Sequence, residues 1–459
     1  MYQIDFHKPI RIYFIGIGGI SMSGLAEILL SEDFTVSGSD RAPSGLTRML
    51  EDRGVKVFYG QKEENLTKDI DLVVYTAAIK SDNPELLAAK KLNIPTLTRA
   101  ELLGQMMKNY ETPVAVSGTH GKTTTTSMIS QILLSAKADP TLSIGGIYQP
   151  IGGNIRVGAS GLFVTEACEY TNSFLSFHPK IGIILNIEED HLDFFKDLAD
   201  IRNSFHRFAG LLPADGALII NGDIERYEEL TEGLSFRVIT YGLSSGLDYT
   251  ASQISYDEAG FPSFILSCRD GGERKFSLRV HGDHNILNAL AAIALSDLLG
   301  ISDEVIRTGL TAFTGTDRRF EYKGQVNGVN IIDDYAHHPT EIRATLNAAA
   351  QYPHRRLWCV FQPHTYTRTK AFMEEFASAL SLADEIVLAD IYAAREKDTL
   401  GISSETLQEK IRSLGHSCHY FPTFEEIENY LLKNCTKDDL LITMGAGDVV
   451  KVGENLLQK

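Results

Sequence analysis

The chain is poor in cysteine, short of positive charge relative to negative, and without long apolar runs, and each shortage argues against a class of protein. Its five cysteines, at 168, 268, 359, 418 and 435, include no C-x-x-C pair. That spacing speaks against a disulfide framework and a zinc knuckle and points to a reducing, cytoplasmic compartment. Lys and Arg number 43 against 60 Asp and Glu, a formal net charge of −17. Non-specific nucleic-acid binding, which depends on cations neutralising phosphates, is therefore not expected. Any phosphorylated ligand must be held by local positive features. No apolar stretch reaches the roughly 18 residues of a spanning helix, so no membrane span is expected. Residues 1–10 lack a basic segment followed by an apolar core, so no export signal is expected either. Neither internal repeats nor low-complexity runs stand out.

What is present is a strand running into a phosphate-binding turn, Val114-Ala-Val-Ser-Gly-Thr-His-Gly-Lys-Thr-Thr-Thr-Thr126. Gly118 and Gly121 let backbone N–H groups approach an anion, Lys122 brings a mobile charge, and Thr123 opens a helix whose dipole favours negative charge. A Thr hydroxyl in that place also ligates Mg²⁺. The common pattern G-x-x-x-x-G-K-[ST] places its first glycine where Val116 stands, so this is a shortened variant. The bland alternative is a glycine-rich turn with a surface lysine.

At 459 residues, and about 150 residues per domain, about three domains are expected. Val/Ile-rich runs alternate with helical patterns, which predicts parallel α/β architecture. A first block carries strands at 10–15, 34–40 and 71–77. A second opens at the phosphate turn, has strands at 161–166, 181–186 and 216–221, and closes with a helix over 287–299. Between them, 236–282 reads as an antiparallel excursion. A third block follows Gly315-Thr-Asp-Arg-Arg-Phe320, with strands at 329–333, 357–361, 385–389 and 440–444.

In the first block, Gly16-Ile-Gly-Gly19 follows a strand and precedes a helix over 22–30. It is close to a dinucleotide fingerprint with Ser21 in place of the third glycine, and Asp40 stands where an acid bonds a ribose hydroxyl. This loop alone leaves NAD and other nucleotide ligands open. In the second block Glu166, Glu169 and the run Asn186-Ile-Glu-Glu-Asp-His-Leu-Asp193 sit at strand carboxyl ends, facing a ligand crevice. Glu166 and Thr123 offer hard oxygens for Mg²⁺, and His191 is a further metal-ligand candidate. The alternative for Glu188, Glu189 and Asp190 is a solvated loop.

With these residues in view, the chain resembles the Mur ligases, and within them the alanine-adding branch, along its whole length. Gly16 to Gly24, with Ser39-Asp40 and Thr76-Ala-Ala-Ile79, is similar to that family's UDP-binding elements. Gly118 to Thr126 is similar to its ATP loop, Glu166 and His191 to its metal ligands, and His284-Asn285-x-x-Asn288 to its adenine-side helix. Asp317-Arg-Arg-Phe320 resembles its hinge. Asp333 to Thr340, Phe361 to Arg368 and Thr443 to Asp448 resemble its third-domain loops. The resemblance implies an α/β chain of three domains: a Rossmann-like UDP-substrate domain at 1–109, a central P-loop-type ATPase domain with a mostly parallel sheet at 110–315, and a C-terminal Rossmann-like α/β domain at 316–459.

It also implies an ATP-dependent ligase in peptidoglycan synthesis, using Mg²⁺ or Mn²⁺, that joins L-alanine to the lactyl carboxylate of UDP-N-acetylmuramate through an acyl phosphate. A monomer or weak homodimer is implied too. The alternative within the family is a murein-peptide recycling ligase. The F-Q-P-H-x-Y-x-R stretch favours L-alanine, although Thr365 stands where many relatives have Arg. The residues carried over for ATP are Gly118, Thr119, His120, Gly121, Lys122, Thr123, Thr124, Asn285, Asn288, Arg319, Asp334 and Tyr335. For the UDP-substrate they are Gly16, Gly18, Gly19, Ile20, Ser21, Asp40, Thr76 and Ala78. Thr123, Glu166 and His191 are assigned to metal, and His337, His338 and Arg368 to the amino acid. Lys122, Glu166, His191, His337 and Arg368 are the expected catalytic set, with the choice between His337 and His338 open. Arg319 either touches phosphate or pins the linker. Outside the family, a dehydrogenase would leave the G-T-H-G-K-T turn idle, and a non-catalytic nucleotide module would leave Glu166, His191, His337 and Arg368 idle.

Overall fold

Strands and helices alternate through most of the chain in the computed structural model, which describes residues 3–459 except 77, 270, 395 and 399. The chain divides into two compact units, Met1–Ile187 with Arg202–Ile239, and Glu188–Ile201 with Thr240–Lys459.

The first unit holds a sheet of β1 (Arg11–Ile15), β2 (Thr35–Asp40), β3 (Lys56–Tyr59), β4 (Leu72–Tyr75) and β5 (Thr96–Thr98). Their order is β3-β2-β1-β4-β5 and every pair is parallel. The order reverses beside β1, and in open parallel sheets ligands bind at the carboxyl ends of the strands flanking such a reversal. The strand expected at 71–77 is thus shorter, and Ala77 lies outside the described residues. A second set comprises β6 (Thr112–Ser117), β7 (Thr141–Tyr148), β8 (Gly153–Arg156), β9 (Leu162–Ala167), β10 (Ile181–Ile184) and β11 (Ala217–Asn221). It runs β11-β10-β6-β9-β7-β8, parallel except for the β7/β8 pair. The two sets pack closely. A Cβ at Gly104 would lie 1.9 Å from the Ser176 carbonyl oxygen, and Tyr110 stacks on Phe163 at 4.9 Å between ring centroids.

β12 (Arg237–Gly242), whose last three residues open the long segment of the second unit, is followed there by β13 (Tyr249–Tyr256), β14 (Pro262–Cys268) and β15 (Glu273–Ser277). The last three are antiparallel as expected. Tyr241 and Gly242, however, pair in parallel with Tyr249 and Thr250. The helix after them starts earlier than its apolar run suggested, at His284, and ends at Leu298, because the polar His284-Asn285 pair occupies the first turn. A last sheet contains β16 (Glu321–Val326), β17 (Val329–Asp334), β18 (Leu357–Phe361), β19 (Glu385–Leu388), β20 (Cys418–Tyr420) and β21 (Leu440–Met444). Its order is β16-β17-β21-β18-β19-β20, with only β16 antiparallel.

Helices bury both faces of that sheet. Cys359 and Phe361 enter one core with Phe376 and Leu380, while Trp358 and Val360 enter the other with Leu431 and Leu441. Burial on both sides is why Leu357-Trp-Cys-Val-Phe361 is continuously apolar rather than alternating. Among the described residues no helix is long and apolar enough to cross a membrane.

Candidate active site

The phosphate turn leaves β6 at Gly118 and enters the helix Lys122–Ser135. Gly118 has φ +145, and a Cβ there would sit 2.9 Å from Leu185 Cβ, so only glycine fits the close pass beneath β10. Asn186, at the end of that neighbouring strand, pins the turn: its Oδ1 accepts from His120 N–H at 2.7 Å and its Nδ2 donates to the His120 carbonyl at 3.1 Å. Its carbonyl also accepts from Thr119 N–H. His120 is therefore held through its backbone.

Lys122 Nζ donates to Glu169 Oε2 at 2.9 Å, to the Thr119 carbonyl at 3.0 Å and to the Gly118 carbonyl. Burial acts to depress the Lys122 pKa, but the Glu169 carboxylate overrides it and keeps the ammonium charged above the ordinary lysine value. Thr123 Oγ1 donates to Glu166 Oε2 at 3.0 Å, and Glu166 Oε1 accepts from Gly145 N–H. Thr123 and Glu166 thus place a hydroxyl and a carboxylate side by side next to Lys122, an oxygen-only donor set suited to a hard divalent cation. Thr124 is half-buried in the same first turn.

The glycine loop after β1 is shaped by β2. Gly16 and Ile17 N–H both donate to the Ser39 carbonyl, at 2.8 and 2.9 Å, and Gly18 N–H donates to Asp40 Oδ2 at 2.8 Å. Asp40 here holds the loop itself. Gly19 precedes the helix Ile20–Ser31, which has no acidic residue in its first turn, leaving the positive end of its dipole uncompensated by side chains. Ile20 is exposed and Ser21 half-buried. Thr76, beyond β4, approaches the same loop, with its methyl 3.5 Å from where a Gly16 Cβ would stand, and its hydroxyl accepts from Ala78 N–H at 3.4 Å.

The remaining expected residues belong to the second unit. Arg368, on the short helix Tyr366–Ala371, donates to Asp190 Oδ1 through Nε at 3.1 Å and Nη2 at 2.8 Å, and through Nη1 to His364 Nδ1 at 2.8 Å. Burial alone would raise the Asp190 pKa, but the Arg368 guanidinium overrides it and holds the acid well below the usual range. His191 is in a left-handed conformation, φ 53°, with its Nε2 3.7 Å from Asp190 Oδ2.

His338 caps the helix Pro339–Ala350. Its Nδ1 accepts from Thr340 N–H at 3.3 Å and its Nε2 faces the Glu189 carbonyl at 3.0 Å. His337 places Nδ1 3.0 Å from the Tyr335 carbonyl, and its ring stands 5.5 Å from that of His364. Burial lowers its pKa. Asp334 accepts from the N–H groups of Phe320 and Ala336 at 2.8 and 2.7 Å, and burial pushes its carboxyl up to about 6. The guanidinium of Arg319 lies over the Tyr335 ring at 5.1 Å, beside that of Arg318 at 4.8 Å. Asn288 Nδ2 donates to Asn285 Oδ1 at 3.0 Å, and Asn285 Nδ2 to the His281 carbonyl at 2.7 Å.

Sequence reasoning missed Asn186 as the pin of the phosphate turn, Glu169 as the partner of Lys122, Asp190 as the partner of Arg368, and Arg318, which ties Asp333 to the Gly445 carbonyl. Position at a strand's carboxyl end was the available signal for Asn186 and Glu169. For the other two no local pattern exists.

Known proteins match along the whole chain. The Mur ligase family catalytic domain matches residues 11–111, the Mur ligase middle domain 116–296, and the Mur ligase glutamate ligase domain 318–447. A UDP-N-acetylmuramate–L-alanine ligase of Agathobacter rectalis is 61% identical over 459 residues, with 100% of each chain covered, and that of Lachnospira eligens is 60% identical with the same coverage. The crystal structure of a UDP-N-acetylmuramate–alanine ligase from Thermotoga maritima aligns with a TM-score of 0.81 at 29% identity, over 98% of both chains. A murein peptide ligase from Psychrobacter arcticus aligns at 0.73 and 26%, again over 98% of both. Identity of this order over the whole chain, with a family model on each of its three parts, means that the chain belongs to the Mur ligase family.

Proposed function

We propose that this chain joins L-alanine to the lactyl carboxylate of UDP-N-acetylmuramate, with cleavage of ATP to ADP and phosphate, in the cytoplasmic stage of peptidoglycan synthesis. The observation that carries the reading is the phosphate turn, in which Lys122 is kept charged by a buried carboxylate beside the Thr123–Glu166 oxygen pair. Relatives named for this reaction, identical at three positions in five, supply the substrate.

A carboxylate resists an amine because its charge repels the nucleophile and oxide is a poor leaving group. Transfer of the γ-phosphoryl group from ATP to a carboxylate oxygen removes both obstacles and releases ADP. Lys122 supplies fixed positive charge where the transferred group passes, and positioning with electrostatics accounts for most of the acceleration. Thr123 and Glu166 would hold Mg²⁺ or Mn²⁺, and such an ion when bound neutralises phosphate charge. The alanine amine then attacks the acyl carbon, the bond to phosphate breaks, and the amine proton leaves.

His337 is the better acceptor of that proton. Hydrogen bonding of Nδ1–H to the Tyr335 carbonyl leaves Nε2 as the basic atom, and burial keeps the ring neutral near pH 7. His338 has both ring nitrogens committed to the helix cap and the Glu189 carbonyl. Arg368 suits the alanine carboxylate through the one N–H that Asp190 and His364 leave on each of Nη1 and Nη2, since its planar fork offers five donors.

Phosphate release from ATP with UDP-N-acetylmuramate tests the reading, with L-alanine, glycine, L-serine and an L-alanine-containing tripeptide compared as acceptors. Strongest release with L-alanine is expected. Preference for the tripeptide would move the chain to the recycling branch, and no release with any acceptor would remove the substrate assignment.

A further inference from the structure

Arg99 has no assigned role, yet it stands between the two loops of the first unit. It opens the helix Arg99–Met107 immediately after the Thr98 cap. Its Nη1 donates to Ser21 Oγ at 3.0 Å, at the first turn of the helix that follows the glycine loop. Further along, the helix that Arg99 opens packs against the Tyr170–Ser176 segment that directly follows Glu169, where a Cβ at Gly104 would lie 1.9 Å from the Ser176 carbonyl oxygen. Arg99 thus sits at the start of a helix that touches the glycine-loop helix at one end and the segment after Glu169 further along.

The surroundings leave that charge uncompensated. Among the described residues Arg99 forms no ion pair, and Ser21 is its side-chain hydrogen-bond partner. Burial depresses its pKa. The nearby acids are engaged elsewhere, Glu169 by Lys122 and Glu166 by Thr123 and Gly145 N–H. A half-buried guanidinium presents five N–H donors in a rigid fork, and leaving such a charge unmatched is costly. The location is therefore arranged to receive an anion, and the first turn of the helix Ile20–Ser31, lacking acids, has the same polarity.

The ligase reaction, on which this inference rests, requires a carboxylate at that place. The nucleotide end of the UDP-substrate belongs to the loop at Gly16 to Ser21, and the acceptor oxygen must meet the phosphate that Lys122 faces. We propose that Arg99 binds the lactyl carboxylate of the UDP-linked substrate and holds one oxygen toward the phosphate turn. Two parallel N–H donors from one fork fix the plane of a carboxylate, which is the orientation phosphoryl transfer needs.

Equilibrium binding of UDP-N-acetylmuramate and of UDP-N-acetylglucosamine, which has the same nucleotide and amino sugar but no lactyl group, tests the proposal. Arg99→Ala should weaken UDP-N-acetylmuramate by about tenfold or more, the range of a charge-assisted hydrogen bond, and leave UDP-N-acetylglucosamine unchanged. Arg99→Lys should recover part of the loss, ATP affinity should stay at the wild-type value in both variants, and the thermal midpoint should not fall in either. Equal weakening of both sugars, which would place the contact at the pyrophosphate or make Arg99 a packing residue, overturns the proposal, as does no weakening of either. Failure of the ligase reading shows separately, as wild-type protein that releases no phosphate with UDP-N-acetylmuramate and L-alanine.

Discussion

Arg368 spends two of its donors on a single oxygen of Asp190, at 3.1 and 2.8 Å, although 178 residues separate the pair in the chain. Their side chains are 9% and 8% exposed. Charges that deeply placed are matched or they destabilise, so the pair fixes the direction of the guanidinium and leaves Nη1 for His364. Asp190→Asn should lower stability to unfolding in urea by about 3–5 kcal/mol, because it strands the Arg368 charge. Asp190→Asn combined with Arg368→Met should recover part of that loss, and additive losses would show that the two are not coupled.

Activity gives an independent view of the same arginine. Arg368→Lys keeps a cation but loses the fork, so the KM for L-alanine should rise about tenfold while those for ATP and the UDP-substrate hold. A rise confined to ATP would detach Arg368 from the amino acid.

Removal of the phosphate-turn lysine should separate chemistry from substrate capture. Lys122→Ala is expected to cut kcat by at least about a hundredfold while UDP-substrate binding persists, since the glycine loop after β1 is built without it. The variant will also unfold more readily, because Glu169 is left as a buried charge 3% exposed. Loss of UDP-substrate binding in folded protein would argue against separate loops.

Gly145 offers a test of the proposal that Thr123 and Glu166 hold a cation, one that leaves both residues in place. A Cβ at this position would come within 2.6 Å of Glu166 Oε2. Gly145→Ala should push the carboxylate aside and raise the Mg²⁺ concentration needed for half-maximal rate, with less effect on the KM for L-alanine. An unchanged Mg²⁺ requirement would separate Glu166 from metal binding.

His364 carries the acid sensitivity of its loop. Burial, aided by His337 and Arg368, pushes its pKa down to about 4, whereas an unperturbed histidine titrates near about 6.5. The unfolded chain therefore takes up the proton first. The contribution of the neutral ring is fully present above about pH 6.5 and is lost as pH falls toward about 4. The urea midpoint should decline over that interval, and less steeply in His364→Gln, which keeps an acceptor for Arg368 but cannot titrate. Parallel declines would assign the acid sensitivity to other groups.

Local chemistry explains why some residues were legible and others not. Gly118, Gly121, Lys122 and Thr123 are recognisable because strand, turn and helix follow one another within a few residues. The strands of the last sheet are equally plain, since burial on both faces makes them uniformly apolar. Where reading failed, the competing influence was tertiary. The helix at His284 begins with polar residues that no apolar period marks, and β12 pairs in parallel with β13 where an antiparallel excursion was expected. That the Asp40 carboxylate accepts from Gly18 N–H was likewise not legible, because the bond depends on β2 lying beside β1.

By itself the sequence determined the alternation of strands and helices, the two glycine-bearing turns and the residue types at their edges, because each obeys rules that act over one or two turns of chain. Only the tertiary structure decided which charges meet. Lys122 finds Glu169 across 47 positions, Arg99 finds Ser21 across 78 and Arg368 finds Asp190 across 178. Those pairings follow from strand order and from burial, which makes an unmatched charge costly, and neither is written in the local pattern of a linear chain.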